Sequence, residues 1–168
     1  MNPDSSVVRR ATEKDTGFIC EIDRKQIGTS ERRKYLTHAI RNKQCFVAKE
    51  GRKCIGFAVV DQGFYGQSFI WLLVVDRGHR RRGVASSLIH HIESTCTTNK
   101  LFTSTNKSNL IMQRLMDKLG FERSGYIDNL DEDDPEIVYF KRLKHSAHTR
   151  DEIPRRHPSG RGLPSTPK

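Results

Sequence analysis

The stretch that most narrows what this chain can fold into runs from Phe69 to Ala85. Seven apolar residues, Phe69-Ile70-Trp71-Leu72-Leu73-Val74-Val75, follow one another without a break. They stop at a short basic loop, Asp76-Arg77-Gly78-His79-Arg80-Arg81-Arg82-Gly83. Beyond it Val84, Ala85, Leu88, Ile89 and Ile92 recur at helical spacing. An unbroken apolar run of this length reads as a strand buried on both faces. A buried strand that feeds a glycine-containing loop and then an amphipathic helix sets the unpaired N–H groups of a helix's first turn beside a sheet. With the helix dipole those donors suit an anion, and glycine lets a phosphate approach the main chain. Three consecutive arginines add positive charge, so a pyrophosphate is the expected guest.

The remaining segments alternate between the two periodicities. Ser6 to Arg10 is a short β-like opening. Thr12 to Arg24 predicts a helix capped by Thr12, with Phe18, Ile19 and Ile22 on one face. A second helix begins near Ser30 and carries Tyr35, Leu36, Ala39 and Ile40. Cys45–Ala48 and Cys54–Val60 read as strands joined at Glu50-Gly51. After the helix from about Gly83 to Ser94, Leu101 to Thr105 is a strand. Ser108 to Leu119 is a helix with Ile111, Met112, Leu115, Met116 and Leu119 inward, ended by Gly120. Phe121 to Ile127 and Glu136 to Leu143 are strands joined by an acidic loop, residues 128–134. The sum is a mixed α/β sheet with helices on its faces. Trp71, within the apolar run, is expected in the core.

Composition bounds the function. The chain has 168 residues and a net charge of +10, which attracts polyanions. Its longest apolar run falls far short of the ~20 residues that span a bilayer. No basic-then-apolar layout opens the sequence, so no secretory leader is expected. Cys20, Cys45, Cys54 and Cys96 lack metal-ligand spacing. A Cys45–Cys54 disulfide across the hairpin is conceivable, but free thiols in a cytoplasmic protein are the expectation. His90-His91 and the His145/His148 pair are poor chelates, and no metal is expected. Residues 144–168 hold four of the six prolines and six Lys/Arg against two Asp/Glu. Such a segment buries too little apolar surface to order itself. It is expected to be a disordered basic tail on a folded domain of residues 1–143.

The loop excludes two common phosphate binders. Gly78 and Gly83 have P-loop spacing, but Val84-Ala85 stand where Lys-Ser/Thr is required. No Gly-x-Gly-x-x-Gly occurs. What remains resembles the GNAT superfamily of N-acetyltransferases, whose acyl-CoA loop, Gln/Arg-x-x-Gly-x-Gly/Ala, is matched by Arg80-Arg81-Arg82-Gly83-Val84-Ala85. A second block, from Asn109 to Gly120-Phe121, is similar to the family's Asn-x-x-Ala-x-x-x-Tyr-x-x-x-Gly-Phe segment. The resemblance covers about residues 5–143. It implies a mostly antiparallel sheet of six to seven strands, splayed between strands 4 and 5, here Phe69–Val75 and Leu101–Thr105. It implies acetyl-CoA as acyl donor and direct transfer to a primary amine. Main-chain groups of Leu73, Val74 and Val75 would pair with the pantetheine arm. The amides of Arg80, Arg81, Arg82, Gly83, Val84 and Ala85 would hold the pyrophosphate, and Asn109 would contact the cofactor.

Two family features are absent. The tyrosine that protonates the departing thiolate falls on Met116, and no carboxylate lies between Asp61 and Asp76 to supply the strand-four glutamate. Glu31, Tyr126 and the acidic loop, with Asp131, are the candidate substitutes. The plainer readings make Asn109 a helix cap, in competition with Ser108, and the acidic loop a solvated turn. A functional acidic loop favours a cationic acceptor. The basic loop and tail also permit an RNA- or ribosome-associated binding module, and the missing acid and base permit an idle acyl-CoA sensor. Oligomeric state stays open between monomer and homodimer.

Overall fold

The computed structural model describes residues 6–144 of the chain. The expected tail lies, apart from Lys144, outside the described residues. The elements follow in the order β1 (Val7–Arg10), α1 (Thr16–Ile27), α2 (Arg33–Arg41), β2 (Cys45–Glu50), β3 (Lys53–Phe64), β4 (Gln67–Val75), α3 (Val84–Thr95), β5 (Lys100–Asn106), α4 (Leu110–Lys118), β6 (Glu122–Ile127) and β7 (Glu136–Arg142). The strands form one seven-stranded sheet in the order β1-β2-β3-β4-β5-β7-β6. Only β4 and β5 run parallel, because the chain must cross over through α3 between them.

Helices cover both faces. Ile19 and Ile22 of α1 and Leu36, Ala39 and Ile40 of α2 pack on Val47, Phe57, Val59 and Val74. On the opposite face, Val84, Leu88, Ile89 and Ile92 of α3 and Met116 of α4 close over Ile55, Ala58, Ile70, Leu101, Ile137 and Tyr139. Alternate strand residues thus serve two separate cores, which is why the central strands are apolar at nearly every position.

Several expectations need correction. The first helix begins and ends later than the reading placed it. A short 3₁₀ turn, Glu13–Asp15, precedes it, and Asp15 Oδ2 accepts from the Thr12 N–H and Oγ, each at 2.9 Å. Phe18 is 56% exposed while Asp23 is buried. The buried arc is rotated because Asp23 is paired inward with Arg32 at 2.8 Å. Ile111 is likewise 81% exposed, and Gln113 takes the inward place. Its amide donates to Lys107 O at 2.6 Å and accepts from Arg123 at 3.2 Å, so a polar residue is satisfied at the core margin. Cys45 and Cys54 are free and buried, opposite Val59 and Lys49 respectively rather than each other. β3 extends to Phe64, and the two-residue turn Tyr65-Gly66, both with positive φ, joins it to β4.

The sheet opens in one place. β4 and β5 pair only through Ser68↔Leu101, Phe69↔Phe102 and Ile70↔Thr103. From Trp71 to Val75, β4 keeps β3 as its neighbour but has no strand on its other side among the described residues. Ser104, Thr105 and Asn106 of β5 keep β7 as their only strand neighbour among the described residues. The splay between strands 4 and 5 is therefore present.

Candidate active site at the sheet splay

The mouth of the splay is built by the β4–α3 loop. Arg81 and Gly83 both adopt left-handed backbone, φ 59° and 81°, which reverses the chain into α3. The helix's first bond runs from the Ser87 N–H to Gly83 O, leaving the Val84, Ala85 and Ser86 amides ahead of the ladder. A Cβ on Gly83 would meet no atom within 4 Å, so the space over the turn is open to a ligand. Gly56 of β3 fits the helix closely from behind: a Cβ there would lie 3.0 Å from Val74 O and 3.1 Å from Val84 Cγ1. That close approach sets α3 at the end of β4. Leu73, Val74 and Val75 lie on the open edge, where an extended ligand arm can add as a strand. These residues fit a diphosphate-bearing acyl carrier in loop geometry and in main-chain donors.

A polar network braces the loop, and the sequence reading missed it. His79 is 7% exposed and its Nδ1 lies 2.6 Å from Asp76 Oδ2. Its Nε2 stands 3.6 Å from Glu50 Oε2, and Glu50 Oε1 accepts from Arg82 Nη2 at 2.7 Å. The His79 hydrogen bond holds the Asp76 carboxyl below its usual range. Arg82 is thus committed to a carboxylate on β2, and Arg80 reaches the Gln26 side chain and Val75 O. The arginines fasten the loop as well as charging it. A histidine three residues after Asp76 inside a basic loop was the available signal.

The other sequence candidates are scattered. Asn109 is the cap of α4: Oδ1 accepts from the Met112 N–H at 3.2 Å and Nδ2 donates to Thr105 Oγ at 3.0 Å. Met116 is fully buried and faces the core, not the splay. Glu31 is exposed in the α1–α2 turn, beside Arg32. Tyr126 lies on the outermost strand, two strands from β5 and 56% exposed. Asp131 accepts from Asn106 Nδ2 at 2.7 Å, at the end of β5. Asp134 ties the same loop to Ser108 through its N–H at 2.8 Å and its hydroxyl at 2.6 Å. The acidic loop is therefore anchored to the β5 side of the splay rather than free in solvent.

Two further carboxylates were unweighed in the sequence. Glu136 opens β7 opposite Asn106, and its Oε2 is buried without a hydrogen-bond partner. Burial pushes its carboxyl up, and Asp131 and Asp134 push the same way, against a Ser104 hydrogen bond. Asp61, on β3, accepts from Trp71 Nε1 at 2.7 Å. Trp71 corrects the expected core assignment: it is 45% exposed. Val59 pairs with Leu72 and Val60 with Ile70, so Trp71 is the extra residue of a β-bulge and its ring is turned outward.

A seven-stranded mixed sheet that parts beside a left-handed glycine and a helix N-terminus is the architecture of the acetyltransferase fold. The model of the acetyltransferase (GNAT) family matches residues 12–121, and the chain belongs to that family. A GNAT-family acetyltransferase from Bacillus cereus is 39% identical, covering 84% of this chain and 99% of its own, with a TM-score of 0.81. The ribosomal-protein-S18-alanine N-acetyltransferase of Escherichia coli, 15% identical, covers 87% and 99% at a TM-score of 0.73. YncA of Salmonella typhimurium, solved with its cofactor acetyl-CoA, is 15% identical and covers 87% and 98% at 0.71. The last two share the fold. No curated protein sequence matches the chain.

Proposed function

We propose that this protein moves an acetyl group from acetyl-CoA directly to a primary amine. The observation that carries the reading is the open β4 edge beside the Gly83 turn, with free helix amides at one end and carboxylates at the other. Acetyl-CoA is the donor substrate: its diphosphate goes to the Arg80–Ala85 loop and its arm to Leu73–Val75. YncA's acetyl-CoA supports that assignment.

In the reaction the acceptor nitrogen bonds to the acetyl carbon as the carbon–sulfur bond breaks. The nitrogen's proton passes to a carboxylate or water, and sulfur leaves as the thiolate. A thiol of pKa ~8.5 needs little help to leave. The amine needs more, since neutralising an alkyl ammonium of pKa ~10.4 at pH 7 takes about 4–5 kcal/mol. Glu136 is the proton acceptor in this reading, because burial and its acidic neighbours already favour its protonated form. Asp131, held by Asn106, tunes it. Four free thiols, three of them buried, accord with a reducing, cytoplasmic setting.

The test is thiol release from acetyl-CoA across a panel of amines, with calorimetry on the wild type and Gly83→Asp. Aspartate enters left-handed backbone more readily than most residues, so it brings a carboxylate into the diphosphate site at a modest cost in strain, and thermal unfolding checks that the variant is folded. Acetyl-CoA affinity is expected to fall at least 100-fold. Unchanged affinity overturns the site.

A further inference from the structure

On the face that carries α1 and α2, Arg32, Tyr35, Asp61, Trp71 and Leu72 line a pocket of about 410 Å³. Trp71 is the first residue of β4 beyond the last β4–β5 pair, so the pocket borders the point where the strands part. Distortions in both adjacent strands build it. The bulge in β4 turns Trp71 outward, and the register also shifts in β3 between Asp61 and Phe64.

Its polar atoms leave one group unspent. Asp61 Oδ1 accepts two bonds, from Trp71 Nε1 at 2.7 Å and from the Gly63 N–H at 2.8 Å. Oδ2 takes no partner among the described residues. The other charge in the pocket, Arg32, is matched by buried Asp23 at 2.8 Å. Trp71 is held by its ring contact with Phe69, centroids 4.4 Å apart, and Tyr35 also lines the pocket. A fixed carboxylate oxygen beside aromatic rings is a receptor for a cation, through a charge-assisted hydrogen bond and cation–π attraction.

We propose that Asp61, Trp71 and Tyr35 form the acceptor pocket and that the acceptor is a polycationic amine, one ammonium of which docks on Asp61 Oδ2 while a second amino group takes the acetyl. The inference rests on the acetyl-transfer reading and names the acceptor class for that site. It selects amines bearing positive charge over neutral or acidic acceptors, because Arg32 is already neutralised and Asp61 is not.

Trp71 is the only tryptophan in the sequence, so its fluorescence reports the pocket directly. Butane-1,4-diamine is titrated into the full-length protein, into Asp61→Asn and into Tyr35→Leu, with butan-1-ol and succinate as controls. Acetyl-CoA affinity is measured on each protein by calorimetry. Asparagine keeps an oxygen to accept from Trp71 and Gly63, so the pocket survives the exchange. The diamine is expected to give a saturable change in the wild type, at least tenfold weaker in Asp61→Asn and about threefold weaker in Tyr35→Leu. The alcohol should give none. An equal response in wild type and Asp61→Asn, no saturable response, or a saturable response to succinate overturns the proposal. If acetyl-CoA binds and the diamine response is independent of Asp61, the cation pocket fails and acetyl transfer stands. If acetyl-CoA fails to bind while the Asp61-dependent response persists, the acceptor assignment falls with the transfer reading.

Discussion

Glu136 shows how one residue can carry opposed demands. Its carboxyl is raised above 4.5 first by burial and then by its acidic neighbours. A carboxyl whose folded pKa is raised stabilises the fold below its unfolded value and loses that contribution as pH climbs through the folded value. Once ionised, the group therefore works against the fold. Glu136→Gln is expected to raise the melting temperature at pH 7–8 and leave the pH 4 value nearly unchanged. The same variant should lower kcat by 10²–10³ with acetyl-CoA affinity retained, and flatten the acidic limb of the rate profile. Thermal scans at both pH values and a pH–rate profile check the two halves. Asp15 has the opposite balance. Burial disfavours its charge, but the Arg9 pair at 2.8 Å and the Thr12 donors hold its carboxyl well below the usual range. It therefore belongs to the structure that joins β1 to α1, away from the chemistry.

Among elements, the seat of α3 decides whether the loop amides face the open edge. Gly56 makes that seat, and it does so by absence of a side chain rather than by unusual backbone. Gly56→Ala places a methyl group 3.0 Å from a main-chain oxygen and 3.1 Å from Val84, the first residue of the helix. Overpacking of this kind destabilises by about 1–3 kcal/mol. Because the displaced element carries the Val84 and Ala85 amides, acetyl-CoA affinity should fall about tenfold, beyond what the stability loss explains. Denaturant unfolding and calorimetry on the same preparation separate the effects. The paired bulges in β3 and β4 flank the pocket on the α1–α2 face, which Asp61 and Trp71 both line.

At the scale of the molecule, the sheet carries a separate core on each face, one under α1 and α2 and one under α3 and α4. A ligand that bridges the parted strands binds the folded chain and not the unfolded one. Acetyl-CoA at 100 times its dissociation constant should add about 2.7 kcal/mol. For a domain of this size that is a rise of several degrees in melting temperature. Scanning fluorimetry against acetyl-CoA concentration measures it, and Gly83→Asp should show no rise.

The sequence by itself determined the element order, the basic turn at Gly83 and the family, because helical and strand periodicity and the backbone demands of a tight turn are properties of neighbouring residues. It also located the open stretch, Leu73–Val75, through the resemblance its loop carries. Only the tertiary structure decided which side chains face the chemistry. The local pattern put Phe18, Ile111 and Trp71 inside, and each lies outside. Asp23 and Gln113 are buried instead by partners distant in sequence or in another element. Trp71 turns outward on a one-residue bulge that alternation cannot register. Glu136 comes beside the splay because β5 parts from β4 after Ile70 while keeping β7 on its other edge, and where two strands part depends on the whole sheet, not on the residues beside it.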